Sequence, residues 1–272
     1  MAREWRRLLV PPERLAACGA GELALEPPEL HYLRRVLRLR PGERFGLVDG
    51  AGHLWSATLA DGTARLEQPL QAPLRSEPPP RPLLQLAVAL PRQDADVLLR
   101  MACELGIDRL SPLSAERSAA AAPLRPERQA AILREAVEQC ERLWLPRLDP
   151  PQPAAAPLAA ATGPGLRLLA TTRRAGLPSL EHCLGSAERL GDGPAVHQPA
   201  VDQPTVNRSS VNGSSVVVAI GPEGGWSPAE EQAAEEAGWQ PVALGGTILR
   251  TSTAAVAAAA LLAAWRRGLS LR

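Results

Sequence analysis

Lysine is absent from this chain. All 30 basic side chains are arginines. The absence excludes chemistry that needs a lysine amine, such as Schiff-base formation, a lysine-assisted pyridoxal site, or the phosphate-binding loop with its Lys. Aromatic residues are also scarce, at 3% of 272 residues, with one Tyr and one Phe. Cys18, Cys103, Cys140 and Cys183 lie far apart and form no C-x-x-C pair. His31, His53, His182 and His197 are equally scattered. That spacing argues against a metal site, and no disulfide framework is expected in a chain this long. Net charge is close to nil, at +1 from 30 basic and 29 acidic residues. Such balance argues against wholesale coating of nucleic acid and leaves local patches open. The longest apolar run, Ala254 to Trp265, is Ala-rich and too short to span a bilayer. The Arg-rich start meets Pro11-Pro12 too soon to hold a secretory signal. These absences predict a soluble cytoplasmic protein with no membrane partner.

What is abundant is small or rigid: 28 Pro and 22 Gly, within a chain that is 45% hydrophobic. Ala, Arg, Pro and Gly all have GC-rich codons, so genomic base composition is the simplest reason for the missing lysine. The hydrophobic share is enough for a substantial core.

Residues 1–75 read as a small β-rich domain. Arg44 to Val48 and His53 to Leu59 are strands joined by the Asp49-Gly50-Ala51-Gly52 turn, and Asp61-Gly62 leads into Ala64 to Leu66. The proline-rich stretch from Pro73 to Pro82 marks the boundary, with a linker over 76–82 and a second domain over 83–272. There the pattern turns to alternating strands and helices. Leu84 to Leu90, Ile107 to Leu110, Leu166 to Thr171, Val216 to Ile220 and Val242 to Leu244 read as strands. Asp94 to Leu105, Pro126 to Leu143, Ser227 to Ala237 and Thr253 to Trp265 read as helices. Ser227 at the N-cap, Pro228 after it and Glu230 form a capping box, and Gly238 follows the end. The alternation predicts an α/β fold with a mainly parallel sheet. Valine recurs every five residues from Val196 to Val216 in units rich in Gln, Pro, Asn and Ser. One Val per unit cannot build a solenoid core, so 191–215 reads as a flexible surface insertion.

Three constellations stand out. Ile220-Gly221-Pro222-Glu223-Gly224-Gly225 joins a strand to a well-capped helix, where open α/β sheets place ligands. It is neither a dinucleotide fingerprint nor a Walker loop, and a plain strand-to-helix turn is the competing reading. Leu244 to Thr253 brings a second glycine pair, Arg250 and three hydroxyl side chains to a helix N-terminus. That end favours ligand acceptor atoms, although Ser252 or Thr253 as an ordinary N-cap explains the hydroxyls too. Finally, Arg34, Arg35, Arg38, Arg40 and Arg44 cluster with Glu43 as the only acid among them. Arg forks onto phosphate and stacks on bases, but a solvated helix face carries the same pattern.

Together these segments resemble the RsmE-type family of 16S rRNA (uracil-N3) methyltransferases, within the SPOUT superfamily. IGPEGGWSPAEEQAAEEAG (Ile220 to Gly238) and LGGTILRTSTAAVAA (Leu244 to Ala258) are similar to its paired C-terminal motifs in order and spacing. HYLRRVLRLRPGE (His31 to Glu43), CELGIDRLSPLSAERS (Cys103 to Ser118) and EQCERLWLPRL (Glu138 to Leu148) support the match. The resemblance implies an N-terminal PUA-like β-barrel that docks RNA and a C-terminal SPOUT α/β domain with a deep trefoil knot. It implies S-adenosyl-L-methionine as methyl donor, a homodimer, and a uridine of 16S rRNA in the small ribosomal subunit as the target. It assigns cofactor binding to Thr171, Thr172, Ile220, Gly221, Pro222, Glu223, Gly224, Gly225, Leu244, Gly245, Ile248, Leu249, Thr251 and Thr253. Arg250 and Glu223 fall at the reacting end. Arg34, Arg35, Arg38, Arg40, Arg117 and Arg142 match positions facing RNA, and no metal is implied.

The chain departs from the family pattern at three places. Ser252 stands where a Glu is common, Met101 where a Lys is frequent, and Glu141 where a Gly commonly follows. A related knotted methyltransferase with another RNA target, and a non-catalytic RNA-binding relative, are the alternatives. The composition of the insertion predicts that removing residues 191–214 leaves methylation intact. A large loss of activity in a shortened protein that still folds by circular dichroism would contradict it.

Overall fold

The computed structural model describes residues 5–18, 21–118, 125–160, 165–172, 174–191 and 215–270. The chain divides into two compact units, Met1–Pro79 with Ala131–Leu145, and Pro80–Ala130 with Pro146–Arg272.

The first unit runs through β1 (Arg7–Leu9), α1 (Pro12–Ala16), β2 (Glu22–Ala24) and α2 (Pro27–His31). A π-helical turn, Tyr32–Val36, continues α2. Then follow β3 (Arg44–Val48), β4 (His53–Leu59), β5 (Thr63–Leu66) and β6 (Arg75–Ser76). The sheet order is β1-β3-β4-β5-β2, with β6 on β4. β1 lies parallel to β3, and the other pairs are antiparallel. The expected β3–β4 hairpin forms with Leu47 opposite Trp55. The Asp49 carboxylate closes its turn by accepting the N–H groups of Ala51 and His53 at 2.8 and 3.0 Å. Gly52 has φ +101, and a Cβ there would meet the Glu77 carbonyl oxygen at 2.5 Å. Leu8, Leu33, Phe45, Leu47, Trp55 and Leu59 are among the residues of the buried core.

Residues 131–145 group with this unit, unlike the linear division expected at 76–82. The reason is a set of bonds across long sequence separations. Gly52 N–H donates to the Leu143 carbonyl and Leu145 N–H to the Gly50 carbonyl, both at 2.9 Å. The Glu138 carboxylate accepts the Leu9 N–H at 2.9 Å. Glu141 has φ +62, a left-handed conformation that favours glycine. Its own pairing offsets that strain: Arg7 donates to its carbonyl and, at 3.0 Å, to its carboxylate.

The second unit contains β7 (Leu83–Val88), α3 (Ala95–Glu104), β8 (Arg109–Ser114), the start of α4 (Pro126–Cys140, grouped with the first unit from Ala131 on), β9 (Arg147–Leu148) and β10 (Gln152–Pro153). It continues through α5 (Ala155–Ala159), β11 (Gly165–Ala170), α6 (Leu180–Gly191), β12 (Ser215–Ile220), α7 (Pro228–Glu236), β13 (Gln240–Val242) and α8 (Thr251–Ser270). All its strand pairs are parallel, in the order β10-β8-β7-β12-β11-β13 with β9 beside β8. Helix α8 packs on β7, β12, α3 and α6, while α5 contacts α7. Val216 to Ile220 are all buried, as suits a strand covered on both faces. Arg266 anchors the last helix. It pairs with the Asp108 carboxylate and donates to the Gly106 and Pro82 carbonyls at 2.7 and 3.3 Å.

Several boundaries differ from expectation. β8 begins at Arg109, because Leu105 and Gly106 form the turn after α3 and Ile107 and Asp108 lead out of it. α4 stops at Cys140, where Glu141 takes the left-handed conformation. β13 lies two residues earlier than expected, over Gln240–Val242. Helix α8 starts at Thr251, so Ser252 and Thr253 sit inside its first turn and are not N-caps. Gly191 ends α6 and Ser215 opens β12. The rest of the expected insertion, 192–214, lies outside the described residues. No described helix is long and apolar enough to cross a membrane.

Glu138 is 7% exposed. Burial pushes its carboxyl up to about 7, against the pull of the Leu9 N–H, Arg134 and the Tyr32 hydroxyl. Burial and the charge of Glu138 in turn push the Tyr32 hydroxyl up to about 12. A carboxyl raised on folding opposes folding once it ionises. The cost is absent below pH ~4, the unfolded value, and complete above pH ~7, where it is on the order of 3 kcal/mol. Glu138→Gln keeps an acceptor for the Leu9 N–H. Urea denaturation should show this variant gaining stability over the wild type at pH 8 and losing that gain at pH 5. A gain of equal size at both pH values would contradict the assignment.

Candidate active site

Parallel pairing brings three strand ends level. Ala170, the last residue of β11, pairs with Ile220 at the end of β12 and with Val242 at the end of β13. The loops that leave these ends are therefore neighbours. Open α/β sheets place ligands outside such carboxyl ends. Here the loops enclose a cavity of about 330 Å³, within the size class of small-molecule sites, about 300–1,000 Å³.

Specific bonds tie the loops together. The buried Trp226 indole donates its N–H to the Ala170 carbonyl at 3.0 Å, joining the β12 loop to β11. The Thr251 hydroxyl donates to the Gly221 carbonyl at 3.0 Å, joining the start of α8 to the β12 loop. Thr171 N–H donates to the Val242 carbonyl at 3.1 Å, and its hydroxyl donates to the Glu231 carboxylate on α7. The capping box of α7 forms as expected between Ser227 and Glu230. Glu230 also accepts the Glu116 N–H at 2.9 Å.

The glycines divide by what a side chain would meet. A Cβ at Gly221 would stand 3.1 Å from the Trp226 indole, and one at Gly224 would stand 3.0 Å from the Arg117 Cβ. Those two glycines are required by protein packing. Gly225 at φ +73 and Gly245 at φ +148 need glycine for the backbone but face open space. Gly246 has neither requirement, as its φ is ordinary and nothing lies within 4 Å. Gly245 and Gly246 both line the cavity, so their bare backbone leaves room beside the main-chain amides. Arg174 and Glu223 are the only charged side chains among the described lining residues. The N-terminal turn of α8 also opens on the cavity through Thr251 and Ala254, which adds a partial positive charge.

Comparison with known proteins decides the family. A model described as RNA methyltransferase domain matches residues 78–263, and one described as RNA methyltransferase PUA domain matches 25–66. The ribosomal RNA small subunit methyltransferase E of Synechocystis sp. is 36% identical over 93% of this chain and 76% of its own length. This chain belongs to the ribosomal RNA small subunit methyltransferase E family. The Rickettsia conorii methyltransferase E is 29% identical over 91% of both chains. The crystal structure of the Neisseria gonorrhoeae methyltransferase E, bound to S-adenosyl methionine, superposes with a TM-score of 0.69 at 28% identity, covering 95% of this chain and 97% of that one. A probable rRNA-methyltransferase from Porphyromonas gingivalis shares the fold, with a TM-score of 0.74 at 23% identity over 97% and 99% of the two chains.

Within this methyltransferase E chain, the cavity gathers most residues singled out in the sequence. Thr171, Thr172, Ile220, Gly221, Pro222, Glu223, Gly225, Leu244, Gly245, Ile248, Leu249 and Thr251 all line it. Gly224 and Thr253 do not, since Gly224 backs onto Arg117 and Thr253 is exposed on α8. Arg250 is exposed beside the lining, and its guanidinium makes no hydrogen bond or ion pair among the described residues. Arg117 is spent locally, donating to the Trp226 and Gly224 carbonyls at 3.1 and 3.5 Å. In the first unit, Arg34 and Arg44 are paired with Asp61 and Glu67 at 2.9 and 2.6 Å. Arg35, Arg38 and Arg40 are exposed, with Arg38 in a left-handed conformation at φ +56. Arg142 is half-buried in that unit. Among the described residues no group of His, Cys, Asp and Glu is arranged to hold a metal.

The sequence reading passed over Arg174, Leu177, Trp226, Ala243, Gly246 and Thr247, which also line the cavity. Gly246 and Thr247 lay within the quoted motif, and the second glycine of its pair was the available signal. Trp226 also lies within a quoted motif, but its bond to β11 depends on which strands are neighbours, and nothing local marks Arg174.

The two kinds of glycine predict opposite behaviour. Gly221→Ala forces a methyl against the hydrogen-bonded Trp226 indole and should cost about 1–3 kcal/mol. Gly246→Ala should leave stability within about 0.5 kcal/mol. Chemical denaturation of both variants checks this, and equal losses would refute it.

Proposed function

We propose that this chain transfers the methyl group of S-adenosyl-L-methionine to N3 of a specific uridine in the 16S rRNA of the small ribosomal subunit. The observation that carries the reading is the glycine-walled cavity at the level ends of β11, β12 and β13, in a chain of the methyltransferase E family. The residues present suit such a donor. Gly225, Gly245 and Gly246 offer bare backbone facing open space, and Leu244, Ile248, Leu249 and Trp226 offer apolar contact for an adenine ring.

When bound, the donor supplies a methyl group made electrophilic by its sulfonium. The chain's share is binding, orientation and proton handling. Thr171, Thr172 and the backbone of 220–225 and 244–249 hold the donor between the three loops. The uridine N3 proton must leave before its lone pair can attack. Glu223, the only carboxylate among the described lining residues, accepts that proton or steers the positive sulfonium. Arg250, always protonated and without a hydrogen bond or ion pair among the described residues, holds the target nucleotide or its phosphate. Arg35, Arg38 and Arg40, exposed on the first unit, contact RNA.

We further infer that the first unit closes as a PUA-like barrel and that the C-terminal loops form a deep trefoil knot. The family resemblance supports both. The same resemblance supports a first domain over 1–75, which residues 131–145 rejoin, a second over 83–272 after a linker at 76–82, a cytoplasmic homodimer, and a cavity near the dimer interface.

Calorimetric titration with S-adenosylmethionine should show binding, and deleting the gene should remove 3-methyluridine from small-subunit rRNA. No measurable binding would favour a non-catalytic RNA-binding relative, a reading motivated by Ser252. Unchanged 3-methyluridine in the deletion strain would point to another RNA target.

A further inference from the structure

We propose that Arg174 is the subsite for the carboxylate of the methyl donor's amino-acid part. This rests on the methyl-donor reading above. An amino-acid group brings a carboxylate that loses hydration on entering a cavity and needs a charged or hydrogen-bonding partner there. The described lining offers one cation, Arg174. Two other described arginines near the loops are otherwise disposed. Arg250 does not line the cavity, and Arg117 is committed to the Trp226 and Gly224 carbonyls.

Arg174 is held, not free. Its Nη1 donates to Glu235 on α7 and lies 3.8 Å from Glu231 on the same helix. Glu231 also accepts the Thr171 hydroxyl. Two cavity residues, Thr171 and Arg174, are thus fixed by the same stretch of α7. Only Nη1 is used, so Nε and Nη2 have no partner among the described residues. A guanidinium pinned at one nitrogen and open at the other two can receive a carboxylate in forked geometry, with little ordering left to do on binding. The two carboxylates serve to orient it, and Glu235, at 40% exposure, also competes for it. Glu223, the remaining charged lining residue, repels a carboxylate and suits the positively charged part of the donor.

The test uses two ligands that differ in the amino-acid part. S-adenosylhomocysteine carries it, and 5′-methylthioadenosine lacks it. Calorimetry on the full chain should show the wild type binding both. Arg174→Ala should weaken S-adenosylhomocysteine about tenfold or more, and change 5′-methylthioadenosine less than about twofold. An equal loss for both ligands would mean that Arg174 only pins the loop to α7, and would overturn the proposal. So would no loss for either. Glu235→Gln removes the competing charge and guards against misfolding of the first variant. It should strengthen S-adenosylhomocysteine binding several-fold and leave 5′-methylthioadenosine unchanged; unchanged affinity for both would also overturn the proposal. Failure of the wild type to bind either ligand is a different pattern, which removes the methyl-donor reading itself and the subsite with it.

Discussion

The Trp226 indole sets how closely the cavity's first two walls approach. Its N–H is bound to the end of β11, and its ring fills the space a side chain at Gly221 would need. Gly221 in turn offers its carbonyl to the Thr251 hydroxyl at the start of α8. One buried indole therefore fixes the β12 loop against β11, and one hydroxyl fixes α8 against that loop. The lining depends on these two contacts, because Gly221, Gly225, Gly245 and Gly246 within it have no side chain to brace it. The glycines carry two different duties. Gly221 and Gly224 make room for protein, while Gly245 and Gly246 leave room for something else.

Charge is arranged with similar economy. The formal total of +1 conceals arginines in distinct situations. Arg266, half-buried, is bound to Asp108 and two carbonyls and serves the fold. Arg34 and Arg44 are paired with carboxylates of the same unit. Arg35, Arg38, Arg40 and Arg250 are left exposed. Arg174 lies between these extremes, half committed to α7 and half open to the cavity. A chain without lysine relies on one planar, permanently charged group for every one of these tasks. The forked guanidinium suits both carboxylates and phosphates.

The return of residues 131–145 to the first unit shows how a local departure is accommodated. Glu141 occupies a backbone conformation better suited to glycine, and Arg7 holds it there through both its carbonyl and its carboxylate. Three residues earlier, Glu138 gives up its hydration to cap the Leu9 N–H and receive the Tyr32 hydroxyl. Neither acid looks unusual in the sequence, and each is defined by a partner more than 100 residues away.

Local order determined what could be read directly. The β3–β4 hairpin was legible because turn residues and alternating apolar residues lie side by side, and α7 because its capping box spans four residues. The two glycine loops pointed to the cavity for the same reason, since strand, turn and helix follow in sequence. The short strands β1, β2, β6, β9 and β10 carry no periodicity of their own and exist only through their partners. The five-residue helices α1, α2 and α5 are equally brief, and α6 was passed over despite its 12 residues. Tertiary structure alone decided that β11 lies between β12 and β13, and hence that Thr171, Gly221 and Leu244 share one cavity. It alone moved Gly224 out of that cavity and brought Arg174 and Trp226 in. The sequence specifies which residues can turn, cap and bury, but strand adjacency arises from packing summed over the whole sheet, and adjacency is what makes a site.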